Sequence, residues 1–147
     1  ERAAKELGVP QLRDLSEDAL PRALALPDPL GRRVRHVVTE NARVLATVKA
    51  LREGDLAALG PLLYASHASQ RDDYEVSIPE IDLLVDLARA EPGVIGARLT
   101  GGGFGGSIVI LARAGEGAGI AARVVAQYTQ QSAHKATVLV PQPSAGR

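Results

Sequence analysis

Five of the six residues from Gly101 to Gly106 are glycine, and with Thr100 this run (TGGGFGG) lies between two short apolar runs, Val94 to Leu99 and Ser107 to Ala112. No other feature limits the fold as much. Short apolar runs bounded by glycine read as strands, so the glycines join two strands. Each glycine held in one regular conformation costs roughly 0.5–1 kcal/mol relative to alanine, and five together cost a few kcal/mol, a large share of a domain's net stability. Two readings follow. The glycines serve a permissive turn, or bare backbone N–H groups line a concavity that accepts a substrate or an anion such as a phosphate. Spacing alone leaves both open.

Two familiar phosphate-binding patterns do not fit. Gly101, Gly103 and Gly106 satisfy GxGxxG literally, but that fingerprint needs a helix directly after the loop, its N-terminus facing the pyrophosphate. A strand follows here. No Lys-Ser or Lys-Thr pair follows the glycines either, which excludes a Walker loop.

The rest of the chain reads mainly as helix. Residues 1 to 7 end a helix at Gly8 and Pro10, and a short helix follows, capped by Ser16 with Glu17 and Asp18 in its first turn. Pro27 and Pro29 break the chain. From Leu30 to Gly54, the apolar residues Val34, Val37, Val38, Val44, Leu45, Val48 and Leu51 recur at helical spacing, which predicts one buried face. Asn41 falls in that stripe and is expected to meet a polar partner inside. Arg32, Arg33, Arg35, Glu40 and Arg43 cover much of the remaining surface. A helix from Asp55 to about Gln70 is followed by the polar stretch Arg71 to Glu75. Ser77 then caps a helix whose buried stripe is Ile81, Leu84, Val85 and Ala88. The second strand, apolar on both faces, reads as central. A helix carrying Ile120, Val124 and Tyr128 and a last strand from Thr137 to Val140 complete an α+β domain, with helices on one face of a small sheet.

Composition narrows the function. At 147 residues the chain has the size of one domain, and its 17 Lys and Arg balance 17 Asp and Glu, so no net basic field draws nucleic acid or an anionic membrane. Three Tyr and one Phe offer few stacking platforms for bases. Neither nucleic acid nor membrane is expected as a partner. The absence of Cys excludes disulfides and thiolate chemistry and fits a cytoplasmic location. The chain opens on ERAAKELG, a charge-led amphipathic segment, and contains no Met. It reads as a piece of a longer polypeptide, although a processed or engineered N-terminus gives the same opening.

Other candidate groups have plain structural readings beside the sharp ones. Asp72, Asp73 and Glu75 suit Mg²⁺ or proton transfer, but neighbouring acids on a loop more often face water or cap helices. His36, His67 and His134 are far apart in sequence, and Ser66 and His67, adjacent on a helix, do not face each other, so no triad is expected. Arg98, two residues before the glycines, is suited to a phosphate through its planar fork of donors and equally to an ion pair with a nearby acid.

Over nearly its whole length the chain resembles the galactokinase family of GHMP small-molecule kinases. Three blocks carry the resemblance in order: RRVRHVVTENARVL at 32–45, ASHASQRDDYEVSIPEIDLLVDLA at 65–88 and GVIGARLTGGGFGGSIVIL at 93–111. The tail PSAG at 143–146 also looks like the family's ending. The sequence departs from the common pattern at Ile78 and Ser107, where many members carry Cys, and at Leu99, where Met is common. The resemblance implies a C-terminal GHMP kinase domain over 1–147, with a ferredoxin-like antiparallel sheet whose first strand lies upstream. It implies transfer of the ATP γ-phosphoryl group to the anomeric hydroxyl of galactose with Mg²⁺. The family's catalytic Asp and Arg, its phosphate loop and most sugar contacts belong to an N-terminal part not seen here. No catalytic or metal-ligating residue is therefore assigned, and Tyr64, Tyr74 and Tyr128 do not inherit the family's sugar-contacting Tyr. Thr100, Gly101, Gly102, Gly103, Phe104, Gly105 and Gly106 would wall the site near the substrate and phosphates, supported by Asp72, Asp73, Tyr74 and Arg98. This segment alone is expected to be inactive. Another GHMP sugar kinase and a non-catalytic ferredoxin-like ligand-binding domain are the alternatives.

Overall fold

Helix ends in this chain fall where backbone chemistry requires them, as the computed structural model, which describes residues 1–141, makes clear. The first helix, α1 (Arg2–Leu7), closes on Gly8 in the left-handed conformation, whose N–H returns to Ala4 and Lys5 carbonyls. Two 3₁₀ turns, Leu12–Asp14 and Glu17–Ala19, lead to α2 (Leu20–Leu24). Ser16 stands at the predicted cap of the second turn but makes no capping hydrogen bond. The long helix α3 (Leu30–Glu53) ends at left-handed Gly54. Asp55 then caps α4 (Leu56–Asp72) by accepting the Ala58 N–H at 3.1 Å.

Ile78, not Ser77, is the N-cap of α5 (Pro79–Ala90), with Pro79 opening its first turn; the Ser77 hydroxyl instead donates to Asp82 Oδ1 at 2.6 Å. Strands β1 (Val94–Thr100) and β2 (Ser107–Ala112) form an antiparallel hairpin in which Leu99 faces Ile108 and Thr100 faces Ser107. The last helix is α6 (Gly117–Ser132). Helices packed on a small antiparallel sheet give the α+β class expected from the sequence.

The core lies in two main parts. Val85, Ala88, Ala97, Ile120, Val124 and Tyr128 pack α5 and α6 against the hairpin, while Ala3, Leu7, Ala23, Val34 and Val38 pack α1 and α2 against α3. Gly60 and Gly96 let α4 approach β1 directly. A Cβ on Gly60 would lie 2.3 Å from the Ile95 carbonyl oxygen, so no side chain fits there.

Four expectations are corrected. The stripe on α3 is buried only in its N-terminal half: Val44, Leu45, Val48 and Leu51 are exposed, Leu45 to 72%. The elements that cover Val34 and Val38 come from residues 3–30 and do not extend over the last turns of the helix. Asn41, in the same region, is exposed. Residues Thr137 to Val140 form no strand, and Leu139 is 90% exposed. In consequence β2 pairs with β1 alone among the described residues and is an edge strand, not a central one. The segment PSAG at 143–146 lies outside the described residues.

Candidate functional site

The glycine-rich run is the hairpin connection between β1 and β2, and its backbone explains most of its composition. Gly101, Gly103, Gly105 and Gly106 have φ of 87°, 84°, 124° and 92°, values that favour glycine because a Cβ clashes there. Phe104 adopts φ 58° among them and is 75% exposed. A bulky residue in the left-handed region is strained, and this one places its ring in solvent.

The loop docks on the segment that leaves α4. The Phe104 N–H donates to the Val76 carbonyl at 2.6 Å, and Gly103 lies so close that a Cβ would fall 2.5 Å from Val76 Cβ. Beyond the loop, a groove of about 540 Å³ runs along β2 from Gly105 to residues 134–139, past Ile78, Leu84 and Tyr128. A larger cleft of about 710 Å³ around Leu56, Tyr64 and Ile95 holds none of the predicted site residues.

Residues Asp72 to Glu75 are held by arginines from the start of α3. Arg32 donates to the Asp72 carbonyl at 2.9 Å, and its Nη1 lies 2.9 Å from Glu75 Oε1. Arg33 donates to the Asp73 carbonyl and, at 2.6 Å, to Glu75 Oε2. Arg35 pairs with the Asp73 carboxylate, and Arg71 with Asp72 at 2.8 Å. The Arg71 hydrogen bond holds the Asp72 carboxyl below its usual range, and the Arg32 and Arg33 bonds do the same for Glu75. All three acids thus pair with guanidinium groups. The Tyr74 ring stacks on His36, centroids 4.6 Å apart. His36 Nδ1 lies 3.0 Å from Ser69 Oγ, and the Ser69 hydroxyl donates to Asp73 Oδ2 at 3.1 Å. Burial pushes the His36 pKa down.

Arg98 makes an ion pair. Its Nη1 donates to Glu40 Oε1 at 3.1 Å and to Ser66 Oγ at 2.7 Å, and its Nε donates to the Leu99 carbonyl at 3.0 Å. Burial alone would raise the Glu40 pKa. Hydrogen bonds from Ser66 and Arg43, with the charges of Arg43 and Arg98, more than offset it, and the carboxyl sits below its ordinary value.

Asp72, Asp73 and Tyr74 thus stand in the segment that leaves α4, whose Val76 seats the loop, while Arg98 is tied to Glu40 and Ser66. Sequence reasoning placed Arg32, Arg33, Arg35 and Glu40 on the covering surface of α3 and missed that the three arginines hold residues 72–75 and that Glu40 holds Arg98. A signal was present: three arginines in the first turns of a helix oppose its dipole, so they need acidic partners nearby.

Residues 47–130 match the family described as GHMP kinases C terminal. Galactokinase from Pasteurella multocida is 45% identical over 149 residues, covering 98% of this chain and 39% of that protein. Galactokinase from Thermotoga petrophila is 44% identical over 128 residues, covering 87% of this chain and 36% of that one. The crystal structure of Lactococcus lactis galactokinase complexed with galactose superposes with a TM-score of 0.83 at 35% identity, covering 91% of this chain and 36% of that chain. The chain spans less than two-fifths of the length of these relatives.

Proposed function

The chain belongs to the GHMP kinase C-terminal family, and on that premise we propose that it is the C-terminal portion of an ATP-dependent galactokinase. The reaction is transfer of the ATP γ-phosphoryl group to the anomeric hydroxyl of galactose, with Mg²⁺ bound mainly by the N-terminal part. The observation that carries this reading is the match of galactokinases to almost the whole chain at 44–45% identity.

In this reading Thr100–Gly106 walls the substrate site from the C-terminal side. Phosphoryl transfer of this kind depends on positioning and charge stabilisation more than on covalent chemistry by the protein. A loop whose shape is set by four positive-φ glycines and anchored at Val76 suits a positioning role. The strained, exposed Phe104 is the side chain best placed to meet a ligand, since strain of this sort is retained at functional sites. Asp72, Asp73 and Tyr74 act through the loop's anchor, and Arg98 through the strand that enters it. Among the described residues β2 pairs with β1 alone and residues 137–140 form no strand, which supports a domain completed by further polypeptide. The cytoplasm is the proposed compartment; no described helix is long and apolar enough to cross a membrane.

A coupled ATPase assay over a panel of sugars, run on the full-length gene product, tests the reading. Galactose is expected to be the preferred acceptor, and preference for another sugar would replace galactokinase with a related GHMP kinase. The 147-residue chain alone is expected to be inactive. ATP-dependent galactose 1-phosphate from the purified chain would overturn that, and ligand-dependent thermal shifts of the chain alone would favour a self-contained binding domain.

A further inference from the structure

The strand entering the glycine loop ends at an edge closed by side chains. Leu99 is fully buried, and its backbone groups are both taken by side chains: its N–H donates to His67 Nδ1 at 3.3 Å, and its carbonyl accepts from Arg98 Nε. The match of α4 to β1 explains why His67 reaches this point. Gly60 touches Ile95, and His67 follows two turns later, a rise of about 10.5 Å; Leu99 lies four strand residues beyond Ile95, about 13 Å away.

His67 is 4% exposed. Because Nδ1 accepts an N–H, the ring proton of the neutral form belongs on Nε2. Nε2 lies 3.0 Å from Asp82 Oδ1, off the N–H axis, so this contact is an electrostatic one rather than a well-formed hydrogen bond. Asp82 in turn accepts the Ser77 hydroxyl. A single imidazole thereby touches α5, through Asp82, and the last residue before Thr100.

We infer that His67 is a positioning residue of the glycine-rich loop, acting as a neutral imidazole whose Nδ1 lone pair fixes the Leu99 N–H and so sets where Thr100–Gly106 begins. The importance of that position for catalysis rests on the proposed function; the mechanical coupling does not. Protonation at Nδ1 would remove the acceptor and leave a donor facing the Leu99 N–H. The charged groups facing the ring are Asp82 and Asp86 from α5, which favour the imidazolium, and Arg71 from α4, which opposes it; Asp72, also on α4, interacts with the ring. Burial outweighs the acids and pushes the His67 pKa down, so the acceptor form prevails at neutral pH.

Long-range ¹H–¹⁵N NMR on the wild-type chain reads the tautomer, with the Nε2–H form expected; an Nδ1–H tautomer would overturn the inference without any variant. His67→Asn keeps an acceptor where Nδ1 stands, whereas His67→Phe keeps the volume and removes it. The Phe variant is expected to show roughly tenfold faster amide exchange at Leu99, as for one lost hydrogen bond, with shifted Gly101–Gly106 amides. The Asn variant should restore both. Unchanged Leu99 protection and loop shifts in the Phe variant would sink the coupling, as would failure of the Asn variant to restore them while remaining folded. In the full-length enzyme, a rise in KM that Phe causes and Asn reverses would extend the coupling to catalysis. If the amide results hold while turnover on galactose is absent, it is the proposed function that fails.

Discussion

Gly103→Ala should separate the close-approach requirement of the loop from glycine's general flexibility. Gly103 has φ +84°, and an added Cβ would lie 2.5 Å from Val76 Cβ and 2.6 Å from the Val76 carbonyl oxygen. The left-handed conformation costs an L-residue roughly 1–2 kcal/mol. The overlap is about 1 Å inside ordinary carbon contact, and relieving it by moving Val76 or the loop costs about 1–3 kcal/mol more. Any such movement also disturbs the Phe104 N–H to Val76 bond. The sum is a loss of about 2–5 kcal/mol. Gly102→Ala is the internal control, because Gly102 has no positive φ and nothing lies within 4 Å of its added Cβ. That change should shift stability by no more than about 1 kcal/mol and tend to stabilise. Urea denaturation followed by far-ultraviolet circular dichroism gives both values. Equal midpoints for the two variants would refute the claim that the loop is seated against Val76.

Further outcomes follow from other contacts. Gly60→Ala should cost at least about 2 kcal/mol in thermal melts, since its Cβ would meet the Ile95 carbonyl 2.3 Å away. Glu40→Gln removes the charge shared by Arg43 and Arg98 and should cost about 1–3 kcal/mol at pH 7. The Glu40 pKa is depressed on folding, so its contribution is present above the unfolded value of about 4.3 and is lost as pH falls through the lower folded value. The gap between wild type and Glu40→Gln in urea melts should therefore narrow below about pH 4. Leu45→Asp, at a side chain 72% exposed, should change stability in urea melts by no more than about 0.5 kcal/mol.

Local chemistry was the legible part of this chain. Glycine helix ends at Gly8 and Gly54, the stripe of α5 and the two strands beside the glycines all depend on neighbours within a few residues, whereas the caps expected at Ser16 and Ser77 did not form. The α3 stripe misled because periodicity reports which residues share a face, not whether anything covers that face; Val34 and Val38 are covered, and Leu45 is not. Residues 137–140 misled similarly, since β propensity in Val138, Leu139 and Val140 forms no strand where no partner strand lies among the described residues. At the site, the glycines were legible because their cost is local. The partners of Arg98 were not, since Glu40 is 58 residues away in sequence, and neither was the role of His67, whose acceptor contact is to a backbone group that no pattern marks.

The two rims of the hairpin differ in kind. The Leu99 N–H and carbonyl are both engaged by side chains, and α4 lies against the same rim at Gly60, so growth of the sheet is hindered on the β1 side. On the β2 side no further strand pairs among the described residues. The hairpin is therefore a one-way terminus: a strand joining it has one rim available, and its arrival would change the arm of the glycine loop at Ser107 while leaving the arm at Thr100 as it is.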